Sequence, residues 1–240
     1  MVRMKAGAKD RAEEILLRTI EEYINRGEPV SSRFLFKEYD FGIKPAMIRS
    51  ELSRLEREGW LSQPHTSGGR IPTDKAYEFY ASRLCKQISP GEVPKTFSEL
   101  VHSLFERQFK EFIENFSNEV HALSVGFALE EHGVWKSGLD ELMSRLDSDE
   151  ANVYKGIARD FESIDDRLYG MAKGLMKHEG LEVHIGEKNP FMSSEHLSTV
   201  FDTFDIDGDK WLLIAIGPKR MNYENNLKAF SRLRRAFENK

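Results

Sequence analysis

The 240-residue chain carries 35 Lys and Arg against 40 Asp and Glu, a formal net charge of −5, and one cysteine, Cys85, which excludes an internal disulfide and fits a reducing compartment. No apolar run approaches the roughly 18 residues of a membrane span and residues 1–11 lack the apolar segment of a secretory signal, so a cytoplasmic chain of one large or two small domains is expected, with no membrane partner. The charge is uneven, 16 basic against 13 acidic side chains in residues 1–88 and 19 against 27 beyond them, which suits a mildly basic DNA-binding module carried on an acidic body.

Residues 1–9 are small and basic without an apolar period; they are expected to fray or to serve as an arm on a DNA backbone. Asp10, with Glu13 three residues on, predicts the capped start of a first helix that buries Leu16, Ile20, Tyr23 and Ile24 and ends at Gly27 and Pro29. Ser31 or Ser32 caps a short second helix reaching Tyr39, with Leu35 and Phe36 as core contributors. Pro45 suits the first turn of a third helix and Gly59 its stop. Within it Ile48, Leu52 and Leu55 recur at i, i+4, i+7 and so share one buried face. The opposite face carries Ala46, Ser50, Ser53, Arg54 and Arg57, flanked by Met47 and Arg49, with no acid until Glu56 and Glu58. Two short apolar pieces follow, Trp60-Leu61 and Ile71, around a tip of Gly, hydroxyls and Arg70. A core helix followed by a surface hairpin is the plainer reading; helix, strand, basic tip, strand is equally the layout of a winged helix-turn-helix. Thr73 caps a further helix over 74–87, and Ser89-Pro90-Gly91 with Pro94 forms the plainest linker.

The pieces Gly27-Glu28-Pro29-Val30, Ile48-Arg49, Leu55-Glu56 and the run Gln63-Pro64-His65-Thr66-Ser67 through Gly69-Arg70-Ile71-Pro72-Thr73-Asp74-Lys75 stand in one register. Over 27–84 the chain resembles the DNA-binding domain of the HrcA family, the bacterial heat-inducible transcription repressors. The resemblance implies a winged helix whose third helix enters the major groove, with Met47, Ser50 and Arg54 at bases and Arg49 at a base or a phosphate. Ser32, Arg33, Lys44 and Arg57 would meet phosphates. The tip His65, Thr66, Ser67, Gly68, Gly69 and Arg70 would lie over the neighbouring backbone or minor groove, the glycines allowing close approach. At the reading head this chain departs from the family's Ser-Pro-Ala-Thr-Ile-Arg-Asn type string: here it is Lys44-Pro45-Ala46-Met47-Ile48-Arg49-Ser50, without the N-cap hydroxyl.

Further on, Leu100, Val101, Leu104, Phe105, Phe109, Phe112, Ile113 and Phe116 predict one helix over 95–118, and so wide a stripe needs a partner, either the distal domain or a second subunit. Residues 121–129 read as a strand, followed by the Glu131-His132-Gly133 turn and a second strand near Val134-Trp135. Helices over 139–146 and 153–176, strands over 181–186, 197–206 and 210–217, and a closing helix over 222–239 complete an α+β domain. Ile185-Gly186-Glu187-Lys188-Asn189, the stretch Ile216-Gly217-Pro218-Lys219-Arg220-Met221-Asn222-Tyr223 and Val134-Trp135-Lys136-Ser137-Gly138-Leu139 are similar to the GAF-like part of HrcA proteins. A long piece, including the family's inserted dimerisation domain, is absent near 129–133, which implies a shortened member.

Asp205-Ile206-Asp207-Gly208-Asp209 has the wrong spacing for a calcium loop and reads better as an Asp-Gly hairpin turn. The histidines lack metal-ligand spacing, Gly68-Gly69 lacks a P-loop ending, and no nucleophile–base pair stands out, so no enzyme, cofactor or metal is expected. The expected fold class is α+β: a winged-helix DNA-binding domain over 1–88, a linker and helix with a possible dimer contact over 89–120, and a truncated GAF-like domain over 121–240. By resemblance the function is repression of heat-shock and chaperone genes by a homodimer on an inverted-repeat operator in double-stranded DNA, with the GroE chaperonin as a further partner. A winged-helix protein-interaction module and a ligand-sensing regulator are the alternatives.

Overall fold

A computed structural model describes residues 3–64, 68–89, 93–130, 133–146, 150–175, 177–206 and 208–238, without the side chains of 3–10 and 238. The chain divides into two compact units, Met1–Tyr80 and Ala81–Lys240. It is mixed α and β, with antiparallel pairing throughout both sheets. No helix among the described residues is long and apolar enough to cross a membrane.

The first unit begins with α1 (Arg3–Arg26), α2 (Ser32–Glu38) and α3 (Pro45–Arg57). A two-stranded hairpin follows, β1 (Leu61–Ser62) with β2 (Ile71–Pro72), and then α4 (Asp74–Gln87), within which the two units divide. Helix α1 starts seven residues ahead of the expected Asp10 cap. Arg3, Met4, Lys5, Ala6, Ala8 and Lys9 are strong helix formers, and extending an established helix is far cheaper than nucleating one. Ile15, Leu16, Ile20, Leu35, Ile48, Leu52, Leu55, Leu61 and Tyr77 form the core. Phe36, expected among them, is 49% exposed, because Leu35 takes the inward position of so short a helix. Ser31, rather than Ser32, caps α2 by accepting from the Phe34 N–H at 3.1 Å. Between α1 and the end of α2, the Tyr39 hydroxyl donates to a Glu22 carboxylate oxygen while the Arg18 guanidinium lies 5.1 Å from its ring centre. Burial, first, and this hydrogen bond, second, push the Tyr39 phenol up to about 12.

The second unit opens with α5 (Lys95–Phe105) and α6 (Phe109–Val120), two helices where the apolar stripe predicts one. Arg107 sits at φ 58°, a left-handed conformation that ends α5. In a continuous helix Phe105 and Phe109 would lie a turn apart on one face. The break instead sends Phe105 edge-on to Phe237, 5.2 Å between ring centres, and Phe109 onto Trp211 and Trp135 at 4.1 and 4.8 Å. The stripe thus finds its cover within its own unit.

Five strands follow: β3 (Leu123–Ala128), β4 (Val134–Ser137), β5 (Glu182–Ile185), β6 (Leu197–Ile206) and β7 (Asp209–Pro218), in the order β4-β3-β7-β6-β5. Two helices, α7 (Leu139–Ser144) and α8 (Ala151–Leu175), stand between β4 and β5, and α9 (Tyr223–Glu238) closes the chain. Side chains alternate across a strand. Leu123, Val125 and Phe127 of β3 therefore join Leu212, Ile214 and Ile216 of β7 in one cluster with Ile157, Ile164 and Leu168 of α8. The other face of β3 meets α6: a Cβ added at Gly126 would come within 2.8 Å of Ile113 Cδ1. Covered on both sides, β3 is buried at every position, which is why it reads as a continuous apolar run. Ile206 pairs with Asp209, and the Gly208 N–H donates to Asp205 Oδ1 at 2.9 Å, so the Asp-rich segment is the expected tight hairpin turn. On β6 the fully buried Asp202 carboxylate receives the Arg234 guanidinium of α9 through both oxygens, at 2.6 and 2.7 Å.

Candidate nucleic-acid interface

Helix α3 positions the residues singled out for base reading. Ile48, Leu52 and Leu55 are buried, each contributing about 1.5–3 kcal/mol, and their spacing fixes the rotation of the helix about its axis. Gly59, at φ 77°, terminates it: Trp60 N–H donates to Leu55 O at 2.9 Å and Gly59 N–H to Glu56 O at 3.0 Å. The Lys75 ammonium adds a further closure, donating to Glu58 O at 2.8 Å while lying 3.9 Å from the Trp60 ring centre.

The opposite face is open. Lys44, Pro45, Ala46, Met47, Arg49, Ser50 and Arg57 are all exposed, Met47 at 52%. The Lys44 side chain makes no cap bond to the first turn. Arg33 of α2 is exposed as well. Arg33, Lys44, Arg49 and Arg57 form no ion pair among the described residues.

Two of the arginines are engaged within the fold. Arg54 lies only partly exposed, with Nε and Nη2 at 2.9 and 2.8 Å from Glu51 Oε2 and Nη1 3.5 Å from Glu58 Oε1. Glu51, three residues earlier, thus places an acid beside a face whose own positions carry none before Glu56. The spacings of three and four residues were the available signal. Arg70 does not project from the hairpin tip: its side chain is 12% exposed, and Nε and Nη2 each lie 2.9 Å from Glu56 Oε2. Its backbone bridges Val30 in both directions at 2.9 Å.

The remaining residues of the tip and of α2 divide likewise. A Cβ at the buried Gly69 would stand 2.6 Å from the Pro29 carbonyl carbon and oxygen, so the close approach expected of that glycine is made to the chain itself. Gly68 is exposed with open space around it. Ser32 is 8% exposed, tucked at the start of α2. His65, Thr66 and Ser67 lie outside the described residues. Thr73, expected as a helix cap, directs its hydroxyl to Gly59 O and Trp60 O at 2.8 and 3.0 Å, tying the end of the hairpin to the end of α3. Among the described residues, no group of three or more His, Cys, Asp or Glu is placed to hold a metal ion.

Residues 77–226 match the family described as HrcA protein C terminal domain. The chain belongs to the HrcA family. It is 42% identical over 104 residues to the heat-inducible transcription repressor HrcA of Symbiobacterium thermophilum, covering 42% of this chain and 29% of that one. Against the HrcA of Thermoanaerobacter sp. (strain X514) it is 37% identical over 118 residues, 48% of this chain and 34% of the other. Against that of Kineococcus radiotolerans it is 45% identical over 85 residues, 35% and 25% of the two chains. The chain thus spans about a third or less of the length of these HrcA relatives. A crystal structure of a hypothetical protein superposes with a TM-score of 0.74 at 16% identity, covering 95% of this chain and 97% of that one, which shows a shared fold. These relatives are described as heat-inducible transcription repressors.

Proposed function

We propose that this HrcA-family chain is a sequence-specific, DNA-binding transcriptional repressor of heat-shock and chaperone genes that binds an inverted repeat in the cytoplasm as a homodimer. The observation that carries the reading is the open first half of α3, where Lys44, Met47, Arg49 and Ser50 face solvent together above a buried Ile48, Leu52 and Leu55. In this reading the first unit is a winged helix-turn-helix with α3 in the major groove, its N-terminal residues at base edges. Met47, Arg49 and Ser50 read bases, and Arg54 joins them when DNA draws it from Glu51 and Glu58. Arg33, Lys44 and Arg57 bind phosphates, with Ser32 offering main-chain or hydroxyl contacts and His65, Thr66, Ser67 and Gly68 meeting the neighbouring backbone or minor groove. Gly69 and Arg70 hold the wing to the body of the unit. The second unit is a shortened GAF-like α+β domain that carries dimer contacts and the response to the GroE chaperonin. Because folded proteins are stable by only about 5–15 kcal/mol, modest heating suffices to empty the operator.

The test is footprinting on chaperone promoters, with a salt titration and a mass measurement of the complex. The expected result is protection of an inverted repeat by two copies of the chain, with affinity falling linearly in log–log against salt. Equal binding to all duplexes sinks the reading. A second reading, a winged helix that docks a protein, is favoured by the exposed Phe36 and Met47 and by the neutralised Arg54. It predicts no steep salt dependence on DNA.

A further inference from the structure

The first three side chains of α3, Pro45, Ala46 and Met47, are all exposed and carry no group that forms a strong hydrogen bond. They stand where a recognition helix meets base edges, yet they cannot read the donor and acceptor pattern that distinguishes base pairs in the major groove. The one apolar group displayed there is the C5-methyl of thymine. Met47 shares a helical stripe with Ser50 and Arg54, and the guanidinium of Arg54 is held by Glu51 and Glu58, so the stripe presents a flexible thioether and one hydroxyl. Met47 is 52% exposed in the free chain, so much of its apolar surface is still available to be buried against a partner. An unbranched side chain of this kind adapts to a shallow apolar contact better than a branched one.

We propose that α3 selects A·T pairs at one position of each half-site through packing of Met47, supported by Ala46, on a thymine methyl. The inference rests on the DNA-binding reading above and names the base that the site prefers. Arg49, two residues on and at the opposite flank of the exposed face, supplies the hydrogen bonds that the apolar end lacks.

The full chain is used to enrich duplexes from a random-sequence double-stranded pool. Each thymine of the enriched site is then replaced singly by deoxyuridine, which removes the methyl and leaves base pairing intact. At one thymine per half-site, uridine should weaken binding by the wild-type chain about fourfold, the worth of one buried carbon-sized apolar group. Met47→Ala and Met47→Gln should each bind the thymine and uridine duplexes equally at that position. The glutamine variant preserves side-chain length if the alanine variant folds poorly. Enrichment without any thymine whose methyl matters, or a uridine penalty that survives in both variants, overturns the inference while leaving the DNA-binding reading standing. A pool that shows no enrichment overturns both.

Discussion

The guanidinium of Arg70 and the carboxylate of Glu56 meet at 2.9 Å, joining the base of the β1–β2 hairpin to the last turn of α3. The pair is largely shielded on the arginine side, 12% exposed against 34% for the glutamate. With the Val30–Arg70 backbone bridge, it sets the angle at which the hairpin leaves the helix. Arg70→Ala and Glu56→Ala should each lower stability by about 1–2 kcal/mol in urea unfolding, and the double variant by little more than either single one. Simple additivity would show that the pair contributes nothing.

The Arg54 side chain is positioned for a latch, with two acids of its own helix as the catch. Exposed ion pairs of this kind contribute only about 0–1 kcal/mol, so phosphates or base edges compete for the guanidinium easily. Glu51→Gln should therefore tighten binding to the enriched duplex by a few fold and steepen its salt dependence, as followed by fluorescence anisotropy. An unchanged slope would mean that Arg54 stays out of the groove.

Tyr39 provides a test of the α1–α2 junction by pH. Its phenol is raised to about 12, chiefly by burial and then by the bond to Glu22, so the folded chain holds that proton where the unfolded chain, near 10, releases it. The contribution is complete below pH 10 and is lost as pH rises towards 12. In a spectrophotometric titration Tyr39→Phe should remove one late-ionising component and flatten the alkaline fall in stability.

On the second unit, Asp202 is fully buried while the side chain of Arg234 remains 43% exposed, so the two partners are not equivalent. Removing the arginine leaves the buried carboxylate to the Thr203 N–H of its own strand, which donates to it at 2.8 Å. Arg234→Met should cost about 3–5 kcal/mol, whereas Asp202→Asn, which leaves no buried charge, should cost clearly less. Urea unfolding followed by tryptophan fluorescence reports both, and equal losses would argue against the assignment of the charge to a dry site.

Much of this architecture is legible in the order of residues. Ile48, Leu52 and Leu55 announce the buried side of α3, and the apolar runs of β3 and β7 announce a sheet covered on both faces. The features that escape such reading are those decided across long separations. Nothing local at Arg107 predicts a left-handed residue; the break follows from where Phe237 and Trp211 stand. The glycines at 68 and 69 signal a close approach, but nothing near them in the chain says that Gly69 meets Pro29, forty residues earlier. The engagement of Arg54 by Glu51 follows from ordinary helical spacing, whereas Arg70 and Glu56 come together only when the hairpin folds back.

The hydrogen atom that Gly126 carries in place of a side chain sets how deeply α6 beds down on the sheet, because Ile113 Cδ1 occupies the space a methyl would need. The two positions are therefore expected to drift in concert among descendants of this chain. A bulkier residue on the strand becomes tolerable only alongside a shorter one on the helix, and either exchange made alone opens a void or forces the layers apart.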